Sequence, residues 1–180
     1  MTLEEIFDIC DKQWIRANND KKHPFRYFTL ATINKKGRAK ARMVVLRNYD
    51  SKTKEFTIYT DARSQKVSDL KQQPKAQLIF YNPKKRLQIL VDVHLITMDS
   101  PQELFNNQPA RAQKDYTSIL PPRTPMENPE GIVYEKDKNF FTRLILKAEE
   151  IEILQLNSIQ HYRARFKSTP KGWKNTFLIP

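Results

Sequence analysis

A mainly β fold, antiparallel and of barrel or sandwich type with a few helices, is what the sequence predicts. Three observations carry this. Runs rich in β-branched and aromatic residues recur at 27–33, 76–81, 86–98 and 140–156. Turn chemistry separates them, as at Asn34-Lys35-Lys36-Gly37 and Asn82-Pro83-Lys84. Helical periodicity is confined to a few short stretches. With 39% apolar and 29% charged residues over 180 positions, one domain spanning 1–180 with its own core is expected.

Thr2 and Glu5 form a capping box, and Leu3, Ile6, Phe7, Cys10 and Trp14 then share one helical face. This predicts a helix over 2–18 packed on the sheet, with Cys10 as a small core residue. Strands at 27–33 and 38–48 follow as a hairpin, Gly37 supplying the positive φ of its turn. Alternation sets Arg42 and Arg47 on opposite faces unless a bulge intervenes. After a strand around 56–59, Ser64 reads as the N-cap of a short helix carrying Val67 and Leu70 and stopped by Pro74.

On the long strand 86–98, Leu87, Ile89, Val91, Val93 and Leu95 share a face, opposite Gln88, Asp92 and His94. Ser100-Pro101-Gln102-Glu103 reads as a second capping box, opening a helix to about 107. Prolines and turn residues make 111–138 a long loop, of the kind that forms a lid or crosses to a partner subunit. Strands at 140–156, 161–167 and 175–179 close the chain.

The net charge of +12 favours anionic partners: a phosphorylated cofactor, an acidic small molecule or nucleic acid. No apolar run reaches the roughly 20 residues of a membrane helix. The first residues lack a signal-peptide layout, and one cysteine excludes an internal disulfide framework, so a cytoplasmic location is expected. The only glycines, Gly37, Gly131 and Gly172, build no phosphate-binding loop. His23, His94 and His161 lack ligand spacing, so no metal site is expected, and there is no nucleophile elbow.

Residues 42–66 carry the functional signal. A basic strand, a polar strand end and a helix start with Lys66 in its first turn converge three kinds of anion donor. That combination points to a phosphate-bearing cofactor held by side chains. The same stretch resembles the pyridoxamine 5′-phosphate oxidase-like flavoproteins, in Arg42-x-Val44-Val45-Leu46-Arg47, Tyr59-Thr60, Ser64-x-Lys66 and Gln73-Pro74-x-Ala76. The likeness continues through Gln88, Arg165-Phe166 and Trp173-Lys174-x-x-x-Leu178-x-Pro180.

The resemblance implies an FMN-binding split β-barrel, antiparallel and Greek-key-like, acting as a homodimer with FMN at the interface. It implies that Arg42 and Lys66 grip the FMN phosphate, with Thr60 and Ser64 as hydroxyl donors and Gln65 nearby. Val44 and Tyr59 would lie along the ribityl chain or ring edge, and Gln88 would hydrogen-bond the isoalloxazine. Arg165 and the 108–125 loop would come from the partner, and Arg47 would face an anionic substrate.

Taken singly, each has a plainer reading: Arg42 as an edge-strand cation, Lys66 as a surface lysine, Gln88 as a half-exposed strand polar. The substrate-phosphate contacts of the true oxidases fall on Leu104, Gln108 and Ala112, and the flavin-stacking Trp falls near Leu154. Pyridoxamine phosphate is therefore not the expected substrate. A flavin-dependent oxidoreductase is the leading expectation, followed by a binding protein without turnover. A nucleic-acid-binding barrel ranks last, on the cations interleaved with aromatics at 163–174. No catalytic residue stands out.

Overall fold

The computed structural model describes residues 1–180, the side chain of Pro129 excepted. Helix α1 (Leu3–Asn19) starts as its capping box dictates: the Thr2 hydroxyl accepts from the Glu5 amide at 3.2 Å, and the Glu5 carboxylate accepts from the Thr2 amide at 2.7 Å. Its apolar stripe buries Ile6, Cys10, Trp14 and Ala17 in the main core. Burial pushes the Cys10 thiol well above its ordinary range, which leaves it protonated and inert. The Asn18 side chain bonds both the amide and the carbonyl of Tyr49, and Lys54 pairs with Asp11 at 2.5 Å. These contacts pin the helix across the strand ends.

Nine strands follow: β1 (Tyr27–Ile33), β2 (Ala39–Val45), β3 (Asn48–Asp50), β4 (Glu55–Asp61), β5 (Lys75–Asn82), β6 (Leu87–Asp99), β7 (Phe141–Gln155), β8 (Tyr162–Thr169) and β9 (Gly172–Leu178). All their pairings are antiparallel, in the order β2-β1-β5-β6-β7-β4-β3, with β8 added to β7 and β9 to β8. The architecture is thus an antiparallel sheet with helices. Among the described residues no ladder pairs β2 with β3, so of the expected split β-barrel the antiparallel sheet is met and closure into a barrel is not. The two ends of the path are instead joined along the chain through Leu46-Arg47, whose amides donate to Arg26 and Thr57 carbonyls at 2.8 and 2.9 Å.

The expected single strand over 38–48 is therefore two strands. Residues 40, 42, 44 and 46 carry the more buried side chains of β2 and the joint, but Tyr49 is the buried one of β3. An extra residue at the joint shifts the phase, as a bulge does. The second expected capping box also fails. Ser100 makes no cap; its hydroxyl pairs with that of Thr142 at 3.3 Å, and Pro101 is the N-cap of a short α3 (Gln102–Asn106). Within 111–138 the chain is not wholly irregular, because α4 (Ala110–Lys114) precedes the loop and a 3₁₀ turn spans Pro129–Gly131.

Candidate functional site

The polar end of β4 leads into helix α2 (Gln65–Gln72), whose Val67 and Leu70 are buried and fix its orientation. Ser64 occupies the N-cap position but makes no capping bond. Its hydroxyl lies 3.2 Å from that of Thr60, and the Lys66 ammonium donates to Thr60 at 2.8 Å and to Ser64 at 3.3 Å. The usual Ser-to-backbone cap is given up for a hydroxyl pair under a lysine, leaving the first helical amides without it.

Arg42 approaches from β2. Its guanidinium donates to the Thr32 hydroxyl at 2.6 Å and the Leu30 carbonyl at 3.3 Å, and it lies 3.4 Å from Asp69. Asp69 is 1% exposed and accepts from Thr32 at 2.7 Å and from the Gln65 side chain at 2.8 Å. Burial lowers the Lys66 pKa, and the Arg42 charge lowers it further. Burial likewise lowers that of Arg42, against the pull of Asp69. Two desolvated cations repelling one another would be relieved by an anion, chemistry that suits a phosphate, and this cluster is termed the cradle. The structure thus brings Arg42, Thr60, Ser64, Gln65 and Lys66 into one cluster. Asp69 and Thr32 were not singled out from the sequence. The i, i+4 spacing of Gln65 and Asp69 was the available signal.

A second cluster lies on the other face of β4, since Tyr59 and Thr60 are adjacent on a strand. The Arg47 guanidinium sits 5.4 Å from the centre of the Tyr59 ring, and its Nε is buried with no partner among the described residues. Tyr59 packs at 5.0 Å on Phe141, which Tyr116 meets edge-on at 5.2 Å. Burial raises the Tyr116 phenol, and the Arg47 charge opposes that rise. Tyr116 lies in the proline-bounded loop segment, where no periodicity marks it. Gln108 turns back to the Leu104 carbonyl at 3.1 Å, and Leu104 packs on the Phe105–Phe141 cluster.

Val44 is half-buried against the main core. Gln88 and Arg165 stand apart from the cradle within one chain, on the face of β6 and β8 opposite the core. Arg165 there faces Glu150 at 3.9 Å, and Arg163 pairs with Glu152 at 2.6 Å. No group of carboxylates, histidines and cysteine suited to a metal occurs among the described residues. No helix there is long and apolar enough to cross a membrane.

An antiparallel sheet with a cluster of cations and hydroxyls at a helix start suits an anionic ligand, and comparison narrows the class. Residues 11–98 match the family described as "Pyridoxamine 5′-phosphate oxidase, FMN-binding domain". A putative pyridoxamine 5′-phosphate oxidase of Caenorhabditis elegans is 26% identical over 152 residues, covering 81% of this chain and 66% of that protein. A pyridoxine/pyridoxamine 5′-phosphate oxidase of Polynucleobacter asymbioticus is 29% identical over 168 residues, covering 84% and 78%. The chain spans about half of a Dictyostelium discoideum relative (47%) and 66% of the nematode one.

Among solved structures, an FMN-binding protein of Nostoc punctiforme superposes with TM-score 0.78 at 21% identity, covering 97% of both chains. PhzG of Burkholderia lata, in complex with tetrahydrophenazine-1-carboxylic acid, gives 0.78 at 18% identity, covering 97% of this chain and 92% of that one. Over residues 11–98 the chain carries the FMN-binding domain of the pyridoxamine 5′-phosphate oxidase-like family. FMN is its cofactor.

Proposed function

We propose that the chain is an FMN-dependent oxidoreductase acting on an anionic small molecule other than pyridoxamine phosphate. The observation that carries this is the convergence of Arg42 and Lys66, from separate elements, around the paired hydroxyls of Thr60 and Ser64. In this reading Arg42 and Lys66 neutralise the FMN phosphate, Thr60, Ser64 and Gln65 orient it, and Val44 and Tyr59 flank the rest of the cofactor. FMN supplies the hydride-accepting chemistry when bound. Arg47, with its orphaned Nε and neighbouring Tyr59 and Tyr116, holds the substrate's anionic group beside aromatic surface. PhzG is described with an aromatic carboxylic acid, chemistry of the kind such a shelf would take.

The covalent join between β2 and β3 supports reading the sheet as a split barrel. Gln88 and Arg165, remote from the cradle in one chain, serve the cofactor of a second copy in a homodimer. A single domain over 1–180 working in the cytoplasm fits the expectations from composition. The pairing of Arg163 and Arg165 with Glu152 and Glu150 weighs against nucleic acid, because it neutralises the basic strand.

The lost contacts at Leu104, Gln108 and Ala112 favour a second reading, FMN held without turnover. The test is an absorbance spectrum of the purified protein, mass spectrometry of the released chromophore, and anaerobic mixing with NADH, NADPH and aromatic acids. Bound FMN that bleaches with a donor supports the oxidoreductase. FMN that resists every donor leaves the binding protein, and a colourless protein that ignores added FMN overturns both.

Lys66 gives a pH prediction. Its pKa in the folded chain lies below that of the unfolded chain, so in the window between them the unfolded state binds more protons and stability rises with pH. FMN affinity runs the other way, falling as pH climbs through the folded pKa, because the phosphate needs the ammonium. Lys66→Met is expected to flatten that alkaline loss of affinity while raising the melting temperature of the FMN-free protein. Fluorescence-quenching titrations across pH, beside thermal melts, check both.

A further inference from the structure

The loop between α4 and β7 is tied together by its own backbone. The Ile119 amide donates to the Val133 carbonyl at 2.9 Å, the Glu135 amide donates to the Thr117 carbonyl at 2.6 Å, and Ser118 bridges Tyr134. Arg63 fastens this ribbon to the end of β4. Its guanidinium chelates Asp61 at 3.0 and 2.7 Å and donates to the carbonyls of Ser118 and Ile119 at 2.9 and 3.0 Å. It also lies 3.3 Å from the centre of the Phe140 ring. A tight turn follows, in which the Thr124 amide and hydroxyl both donate to the Pro121 carbonyl, at 3.2 and 2.7 Å. That turn carries Arg123 at φ +74°, a left-handed conformation an arginine seldom adopts.

The loop walls a cavity of about 410 Å³, within the range of small-molecule sites. Ile119, Leu120, Met126, Ile132 and Val133 line it, and each is still 41–61% exposed. Aliphatic side chains left this open to water gain free energy when an apolar group covers them. The charged part of the lining is two cations and one carboxylate: Lys114, Arg123 and Asp115. The Lys114 ammonium rests 4.3 Å from the centre of the Tyr134 ring, and neither cation has an ion pair among the described residues. None of Arg42, Lys66, Arg47 and Tyr59 lines this cavity, so it is separate from the cradle and from the aromatic shelf. We propose that it binds an aliphatic monocarboxylate, the chain lying against the Ile119, Leu120, Met126 and Val133 wall and the carboxylate met by Lys114 and Arg123. A wall of branched and thioether side chains suits a flexible chain, and one surplus positive charge suits one carboxylate. The inference stands independently of the FMN reading.

The probes are decanoate and decylammonium, equal in length and opposite in charge, titrated by calorimetry into the chain with and without saturating FMN. Wild type is expected to take up one decanoate with a dissociation constant below about 1 mM, alike in both conditions, and to bind decylammonium about 10-fold more weakly. Val133→Glu places a carboxylate at an exposed position of the wall. It should weaken decanoate about 10-fold and strengthen decylammonium, a swap that a change of shape alone would not give. Arg123→Gly, whose φ of +74° glycine adopts freely, should weaken decanoate about 5-fold without weakening decylammonium. No decanoate uptake, equal uptake of both probes, or a decanoate affinity untouched by both substitutions overturns the inference. So does decanoate that displaces FMN, which would put it in the flavin site. A Val133→Glu chain with altered oligomeric size and unaltered decanoate binding also overturns it, because a second copy would then cover the wall. A chain that takes up decanoate and no FMN overturns the FMN reading alone.

Discussion

Arg42→Ala is expected to weaken FMN binding about 100-fold, equivalent to about 2.7 kcal/mol. The guanidinium is half-buried and already aligned by Thr32 and Asp69, so a phosphate would meet it without further ordering. No glycine-rich loop backs it up, and Lys66 would be left as the nearest cation. Riboflavin, which lacks the phosphate, should bind the variant and the wild type equally. The same change strands the buried Asp69 carboxylate with only Thr32 and Gln65 as donors, so the melting temperature should also fall. Arg42→Ala combined with Asp69→Asn separates the two effects: stability should return in part, and FMN affinity should not. Calorimetric titration and thermal melts on the three variants check this. Full FMN affinity in Arg42→Ala would remove the cradle.

Trp14→Ala should have the largest effect on stability. The indole is fully buried, with ring centres of Tyr49, Phe56 and Phe80 at 5.0, 5.1 and 5.6 Å. Removing it empties the space between α1 and the sheet, a loss of about 3–5 kcal/mol and a melting temperature lower by roughly 6–20 °C. Trp14→Phe keeps a ring and removes an indole N–H that has no hydrogen-bond partner among the described residues, so it should lose less than half as much. Chemical denaturation read by circular dichroism distinguishes the two. An alanine variant within about 1 kcal/mol of wild type would mean that α1 is not part of the core.

Where a residue's neighbours along the chain dictated its place, the sequence was sufficient. The Thr2–Glu5 box, the alternating face of β6 and the helix stopped by Pro74 are local patterns, and each appears at its expected position. Failures came where a tertiary partner outbid a local one. Ser100 was drawn to Thr142 and Ser64 to Thr60 and Lys66, so one expected cap vanished and the other survived in position alone. The phase shift at Leu46-Arg47 was open in principle, because alternation only holds without an extra residue. Asp69 and Thr32 escaped notice because a carboxylate between two lysines, at 66 and 71, reads as an ordinary polar helix face until the strand opposite is known. The separation of Gln88 and Arg165 from the cradle is a property of sheet topology that no stretch of sequence encodes by itself.

The joint between β2 and β3 has a bearing on how such a protein changes over time. One short piece of backbone presents Arg42 to one compartment and Arg47 to another, with β4 as the partition between them. On the proposed assignment, positions 47 and 116 can be exchanged for new chemistry while 42, 60 and 66 stay as they are. On that assignment, retention of the prosthetic group and choice of reactant would be inherited as separate modules.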